Sequence, residues 1–345
     1  MVHLNDPLVM GSVLINRVTS FLCMVLITTS FSFLFVKVAD AQTKKVRVSI
    51  PTLGMPSIAL TVASVKGYYQ QEGLDVELIL MSAGVATRAL IGGNVEFTSA
   101  AGAAFPAVLS GAPLRFLFVS YNRPIFWLYA KSEIRDIGGL IGKKVGVSNI
   151  GSAPDYFLRE VLKKHGLEGG RDVAILALGL QATIYGGLVS GAVDAAMITP
   201  PFTFMAAEAG YRELVSFAQQ DLVHLQGSII AGEKLLKSDS KLVEKFVRGT
   251  LKGYLYARDN RSGTVPILAQ NVKIKEDQAG RYYDVYRLAM TSDGTVSEEL
   301  QRRSLDNVLK LVGVKEPPPL EKIFDFSLAR KARAQLEAEG WRPKP

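Results

Sequence analysis

The chain has 345 residues, of which 48% are hydrophobic, and a formal net charge of +8. Its single cysteine, Cys23, and three histidines exclude a disulfide framework and a Cys/His zinc site. The basic pairs lie far apart and are not interleaved with aromatic residues, so a nucleic-acid-binding stripe is not supported. The length is typical of one large domain or two of medium size.

The first 41 residues have the pattern of an export signal. Arg17 precedes a nearly uncharged apolar run of 19 residues, 18–36, which is followed by Lys37 and the small-residue exit Ala39-Asp40-Ala41. This order predicts a signal peptide over residues 1–41, cut between Ala41 and Gln42, and a mature protein in the periplasm. The run is also long enough to span a bilayer, so an uncleaved membrane anchor stays open as the alternative.

Short apolar strands and helical patterns alternate from Lys45 onward. The first set predicts strands and helices in the order β, α, β, α, β, α, β over residues 46–50, 58–66, 76–80, 85–91, 95–98, 104–110 and 114–119. Such alternation is typical of a mostly parallel sheet covered by helices. The aromatic-rich segment 121–129 alternates as a buried strand does, with Trp127 either in the core or at a cleft.

The same rhythm restarts in the middle of the chain. Strands are predicted at 144–147, 173–178 and 193–198, and helices at 154–165, 184–190 and 202–209. The stretch GNVEFT at 93–98 resembles GAVDAA at 191–196, since in each a helix ends on glycine and a buried strand begins with one acid. The repetition predicts two lobes of like architecture.

The pattern changes after about residue 220. One short strand, 227–231, is followed by predicted helices at 241–258, 267–271, 277–290, 297–312 and 328–339, with a proline-rich linker at 315–319. We expect this helical tail to pack on the first lobe, which makes that lobe discontinuous.

Candidate binding residues lie in the loops that follow the strands. In open α/β sheets, ligands bind at the carboxyl ends of the strands. The loops there are small, hydroxyl-bearing and glycine-rich, and they precede helices, so they offer backbone N–H groups to a small polar or anionic group; they are 51–57, 81–84, 99–102, 148–153 and 198–201. Ser152 and Asp155 have the spacing of a capping box, which would place the Asp155 carboxylate at the start of the helix. Arg88 and Arg123 are candidate charge partners.

Catalytic signals are absent from these loops. GVSNI at 146–150 fails the nucleophile-elbow pattern at its fifth position, and Gly138 to Lys144 lacks the spacing of a phosphate loop. No histidine is near a plausible nucleophile, and no pair of carboxylates stands at strand ends. We therefore predict no catalytic residues, no metal and no cofactor.

The segment GYYQQEGLDVEL at 67–78 resembles the sulfonate/nitrate/taurine and thiamine-precursor (NMT1/THI5-like) substrate-binding proteins of ABC importers. The segments 140–147, 191–196 and 324–330 are similar to that family as well. The resemblance implies a type II periplasmic binding protein fold, with two βαβ lobes of mostly parallel sheets, two crossing segments near 130–132 and 220–226, and a helical C-terminal tail. Lobe 1 would comprise residues 42–130 and 225–345, and lobe 2 residues 131–224.

Carried over to this sequence, the family implies ligand-binding positions between the lobes. Together with Tyr156, which could reach the ligand, they are Gly54, Met55, Ser82, Ala83, Gly84, Ser99, Ala100, Ser152, Ala153 and Thr199. Because no arginine stands in these loops, the ligand stays open between sulfonate-, nitrate- and pyrimidine-like solutes.

The resulting hypothesis is a monomeric solute receptor that closes by hinge motion and delivers its solute to an ABC permease in the inner membrane. Two alternatives stay open. One is an enzyme on the same fold, similar to the pyrimidine-precursor synthases, although those need a lysine, histidines and, in some, cysteines. The other is a membrane-tethered ligand sensor, which an uncleaved leader would favour.

Overall fold

The computed structural model describes residues 43–220, 222–312 and 314–343. The predicted signal peptide, its cleavage site and the alternative membrane anchor lie outside these residues. Among the residues described, no helix combines the length and the apolar character needed to cross a membrane.

In the described part of the chain, ten strands form two five-stranded sheets. They are β1 (Lys44–Ile50), β2 (Leu74–Leu80), β3 (Phe97–Thr98), β4 (Leu114–Tyr121), β5 (Trp127–Ala130), β6 (Lys144–Val147), β7 (Ala174–Ala177), β8 (Ala195–Ile198), β9 (Arg212–Ser216) and β10 (Gln226–Gly232). The first sheet has the order β2-β1-β3-β10-β4, and the second has the order β7-β6-β8-β5-β9. Each sheet with the helices packed on it is called a lobe below.

Thirteen α-helices accompany the strands within the described residues. They are α1 (Ile58–Val65), α2 (Tyr68–Gln71), α3 (Ala83–Ile91), α4 (Ala101–Leu109), α5 (Ala153–Lys164), α6 (Gln181–Val189), α7 (Phe202–Glu208), α8 (Glu233–Ser238), α9 (Ser240–Asp259), α10 (Arg261–Val272), α11 (Glu276–Arg287), α12 (Glu298–Val312) and α13 (Ser327–Ala338).

The two sheets have the same plan. In the first, β1 pairs in parallel with β2 and β3, whereas β10 is antiparallel to β3 and β4. In the second, β6 pairs in parallel with β7 and β8, whereas β5 is antiparallel to β8 and β9. Four strands of each sheet therefore run in one direction, and the fifth is the strand that the chain forms directly after leaving the other sheet.

The position of β5 differs from the expected lobe boundary. The sequence predicts a first lobe that extends to residue 130 and a crossing at 130–132, but β5 pairs with β8 and β9 in the second sheet. The chain therefore crosses over residues 122–126. Alternating apolar residues show that a strand is buried, but they carry no information about which of two sheets it joins. The second crossing lies between β9 and β10, where most of the predicted segment 220–226 falls, although Gln226 is already part of β10.

The helical tail packs on the first lobe. The long helix α9 is capped by Asp239, whose side chain accepts a hydrogen bond from the N–H of Leu242 (3.0 Å). It contacts α1 at Gly253, where an added Cβ would lie 2.7 Å from the backbone nitrogen of Ala63. The helices approach so closely because this residue has no side chain.

The segment that carries the family resemblance is held against α9. Phe246 stacks between Phe97 (3.9 Å between ring centroids) and Tyr69 (5.3 Å). Beside this stack, the carboxylate of Glu72 accepts hydrogen bonds from Lys252 and Arg248, each at 2.7 Å. Most of the motif therefore serves packing, and it identifies the fold better than it identifies a ligand.

Candidate functional site

A gap between the lobes lies where the strands of both sheets end. It is a cleft of about 430 Å³. The first lobe lines it with residues that follow β1, β2 and β3, and the second lobe with residues that follow β6, β7 and β8. This is the position that the sequence rule for α/β sheets predicts for a ligand site.

The structure brings seven of the eleven predicted site residues together on the wall of this cleft. They are Ser82, Ala83, Gly84, Ser99, Ser152, Ala153 and Thr199. Three of the seven belong to the turn after β2, and the other four follow β3, β6 and β8. Both lobes therefore contribute to the same gap.

Gly54 and Met55 lie away from the cleft, bound to the helical tail. The Gly54 N–H donates to Asn271 Oδ1 (2.8 Å), and an added Cβ at Gly54 would lie 2.7 Å from the hydroxyl of Tyr282. Met55 is fully buried, and its carbonyl accepts a hydrogen bond from Tyr121 (2.6 Å). Gly54 and Met55 therefore anchor α10 and α11 to the first lobe and do not line the cleft.

Ala100 and Tyr156 also lie off the cleft wall. Ala100 is buried at the start of α4, where its carbonyl accepts from the N–H of Ala104 (3.0 Å). Tyr156 lines a small cavity of about 30 Å³ between α4 and α5, which adjoins the cleft at Gly102, Ala153 and His224. The Tyr156 side chain therefore lies where α4 of the first lobe meets α5 of the second.

Several residues on the cleft wall were not among the predicted site residues. They include Thr52, Phe126, Ser148, Asn149, Gln181, His224, Gln226 and Tyr286. Gln181 follows β7, so the same strand-end rule could have found it. Tyr286 comes from α11, and no local sequence pattern indicates that this tail helix reaches the cleft.

Four helices begin at the cleft with unbonded backbone amides. They are α3 and α4 in the first lobe and α5 and α6 in the second, and none has a hydrogen bond from its N-cap side chain to the first turn. Within the described part of the chain, the N–H groups of five cleft-lining residues have no protein acceptor; these are Ala83, Gly84, Gly102, Ala153 and Gln181. First-turn amides carry partial positive charge and bind anions or other hydrogen-bond acceptors.

The expected capping box at α5 forms in a different way. Ser152 Oγ donates to the carbonyl of Asn149 (2.6 Å) instead of capping the helix. The Asp155 carboxylate accepts from the N–H of Gly151 (2.8 Å) and from Arg159 Nε (2.8 Å). Asp155 is buried away from the cleft wall, so the amide of Ala153 is left for a ligand.

No Asp, Glu, Lys or Arg occurs among the described residues that line this cleft. The candidate charge partners Arg88 and Arg123 are not on its wall.

His224, on the second crossing segment, packs against the rings of Phe126 (5.4 Å) and Phe157 (5.8 Å). Burial lowers the pKa of this imidazole to about 4, so the ring is neutral at neutral pH. The cleft therefore offers neutral donors and apolar contacts. Nor do the described residues contain a cluster of His, Cys, Asp or Glu that could hold a metal.

The sequence model of the family described as "NMT1/THI5 like" matches residues 56–262. The chain belongs to the NMT1/THI5-like family. The matched region begins before α1 and ends in α10, so it includes every strand described above except β1 and all four helix starts at the cleft. A search of curated protein sequences found no significant match.

Solved structures similar to this NMT1/THI5-like chain share its fold. The periplasmic aliphatic sulphonate binding protein SsuA from Escherichia coli is 18% identical, with a TM-score of 0.65 over 83% of this chain and 99% of the other. The periplasmic nitrate-binding protein NrtA from Synechocystis PCC 6803 is 14% identical, with a TM-score of 0.68 over 86% of this chain and 90% of the other. The predicted two-lobed periplasmic binding protein fold is thereby confirmed.

An enzyme has this fold too. The desulfurization enzyme DszB is 17% identical, with a TM-score of 0.62 over 85% of this chain and 99% of the other. At these identities the likeness shows fold alone, and the choice between receptor and enzyme depends on the chemistry of the cleft.

Proposed function

We propose that this NMT1/THI5-like protein is the extracytoplasmic solute-binding receptor of an ABC importer. It captures a small organic or anionic solute between its lobes and releases it unchanged to a permease in the inner membrane. The observation that carries the proposal is the cleft wall, where unbonded helix amides from both lobes face a gap without an acidic or strongly basic side chain.

The crossing segments support closure by hinge motion. The N–H of His224 donates to the carbonyl of Asn122 (3.2 Å), and the N–H of Phe217 donates to the carbonyl of Phe126 (3.1 Å). The two crossings are thus joined side by side, while the cleft opens beyond them. A ligand that bonds to both lobes favours the closed state, because its full set of contacts forms only there.

The enzyme alternative lacks support in the cleft. General acid–base or nucleophilic catalysis needs a titrating or activated side chain within reach of the substrate. The titratable side chains among the described lining residues are His224, which burial keeps neutral, and Tyr286, whose pKa burial raises well above its ordinary value. Neither is paired with a nucleophile.

The test is native mass spectrometry of the exported protein, followed by calorimetry with whatever compound co-purifies. We expect one small molecule per chain, recovered unchanged after long incubation. Conversion of that molecule into a product would favour the enzyme. Sequencing the N-terminus of the same material tests the signal peptide, since a chain that starts at Gln42 excludes the tethered sensor.

A further inference from the structure

A second compartment opens from the cleft. It has a volume of about 360 Å³ and lies between the end of β2 and the loop after β8. Its wall shares five residues with the cleft, so the two spaces adjoin; these are Pro51, Thr52, Leu180, Gln181 and Thr199. A solute held in the cleft therefore lies next to this space.

The wall of the second compartment is mostly apolar and comes from both lobes. Leu53 and Leu80 of the first lobe are 38% and 48% exposed, and Leu180 of the second lobe is 42% exposed. Phe202 and Val272 add further apolar surface. Large exposed side chains that face one another across a gap gain stability when an apolar group or closure removes them from water.

Gln181 stands where the two compartments meet, in a fixed orientation. Its Oε1 accepts hydrogen bonds from the N–H of Thr199 (2.9 Å) and from Thr199 Oγ1 (3.3 Å). Because a backbone N–H can only donate, the acceptor must be Oε1, and this assigns the amide without ambiguity. Among the described residues, nothing accepts a hydrogen bond from Nε2, which leaves both of its protons for a ligand.

Resting on the receptor function proposed above, we infer that the solute is an organic molecule with a hydrogen-bond-accepting head and an alkyl or aryl group. The head lies in the cleft and accepts a hydrogen bond from Gln181 Nε2, and the apolar group fills the compartment lined by Leu53, Leu80 and Leu180. An inorganic anion or a compact polar solute would leave that compartment empty.

The first test compares short and long members of three head-group series by calorimetry. The probes are acetate and hexanoate, methanesulfonate and hexanesulfonate, and acetamide and hexanamide. In the head class that binds, we expect the long member to bind at least tenfold more tightly than the short one. Leu80→Asn should remove most of this gain, because it makes the compartment wall polar. Equal affinity for both members would overturn the inference.

The substitution Gln181→Glu tests whether the head of the solute accepts a hydrogen bond from Gln181 Nε2. A carboxylate still accepts the Thr199 N–H, and a negative charge at the first position of α6 is favourable, so the variant should fold as the parent does. It replaces the two Nε2 protons with a charged acceptor, so binding of the long probe should fall at least tenfold. Gln70→Glu makes the same change on the exposed surface of α2 and should leave binding intact. Unchanged affinity in Gln181→Glu would remove Gln181 from the site.

Substitution of Lys273 tests which end of the solute lies in the cleft. Lys273 is the charged side chain among the described residues that line the second compartment. With the head in the cleft, Lys273→Gln should change the affinity less than twofold. A loss of tenfold or more would place the head at Lys273 and reverse the assignment.

Two outcomes separate this inference from the receptor function. If nitrate or a compact pyrimidine binds and none of the long probes does, the receptor function stands and the two-part site is wrong. If nothing co-purifies and no small molecule binds, both fall.

Discussion

The backbone N–H of His224 donates to the carbonyl of Asn122 and so joins the two segments that cross between the lobes. The imidazole of the same residue is enclosed by the rings of Phe126 and Phe157, with no charged group in contact among the described residues. A single histidine is thus part of both the hinge and the cleft wall, in an apolar setting that disfavours its charged form.

This setting predicts that acid weakens the fold at the hinge. The pKa of His224 falls from 6.5 in the unfolded chain to about 4 in the folded protein, so the unfolded state binds more protons between these values. The stabilising contribution is complete above pH 6.5 and is lost as the pH falls toward 4. We expect a loss of about 1 to 3 kcal/mol over this range, measured by urea unfolding at pH 7 and pH 4.5.

His224→Phe should reduce that pH dependence, since it keeps the ring and removes the titration. His165→Phe is the matched control, because His165 is exposed at the end of α5. Its pH profile should follow that of the parent. A parent-like profile in His224→Phe would show that other groups dominate acid unfolding.

The cleft assignment predicts the effect of filling it. Ser99→Trp and Ser152→Trp each place an indole into the gap from one lobe, and both side chains line it. Each variant should abolish the thermal shift produced by the co-purified ligand; at a hundred times its dissociation constant this shift corresponds to about 2.7 kcal/mol. Circular dichroism should show that both variants remain folded.

The controls for these variants are Ser110→Trp and Ser132→Trp, at exposed serines of the first and second lobes. Both should retain the full shift. If the two cleft variants respond to ligand as the controls do, the solute binds elsewhere.

Most of the candidate site could be predicted from the strand ends, because ligands generally bind at the carboxyl ends of the strands in open α/β sheets. Once β2, β3, β6 and β8 are placed by their apolar residues, the loops after them must meet at one edge of each sheet, which is why Ser82, Ser99, Ser152 and Thr199 share the cleft. The same rule also selected Gly54 and Met55, which do not line the cleft. Their partners, Asn271 and Tyr282, lie more than 200 residues away in sequence and in the helical tail.

Contacts of this long range explain the other differences. Nothing local indicates that Tyr286 reaches the cleft from α11, or that β5 joins the second sheet. At α5 the spacing of Ser152 and Asp155 fits a capping box, but Arg159 binds the carboxylate and the N–H of Gly151 takes the place of the expected donor. Sequence spacing identifies the groups available for such bonds, and tertiary packing selects among them.

The contact between α1 and α9 predicts a large effect for a small change. Gly253→Ala adds a methyl group that would lie 2.7 Å from the Ala63 nitrogen and closer still to the Ala59 carbonyl, so the two helices must separate. Alanine has the higher helix propensity, so an exposed site would gain up to about 1 kcal/mol. Here we expect a net loss of about 1 to 3 kcal/mol from overpacking, measured by denaturant unfolding. Gly102→Ala, where the added Cβ meets no atom within 4 Å, is the control for intrinsic propensity.

Two tyrosines of α9 provide a matched test of buried hydroxyl groups. Tyr254 Oη donates to the carbonyl of Thr291 (2.5 Å), whereas Tyr256 Oη is buried with no hydrogen-bond partner among the described residues. Both rings are fully buried, so replacement by phenylalanine changes little except the hydroxyl. Tyr254→Phe should cost about 1 to 2 kcal/mol, because the carbonyl of Thr291 loses its donor. Tyr256→Phe should be neutral or slightly stabilising, because it removes a polar group that makes no bond. Equal losses in the two variants, measured by urea unfolding at one pH, would show that Tyr256 Oη has a partner and would contradict its placement beside Gly263 of α10.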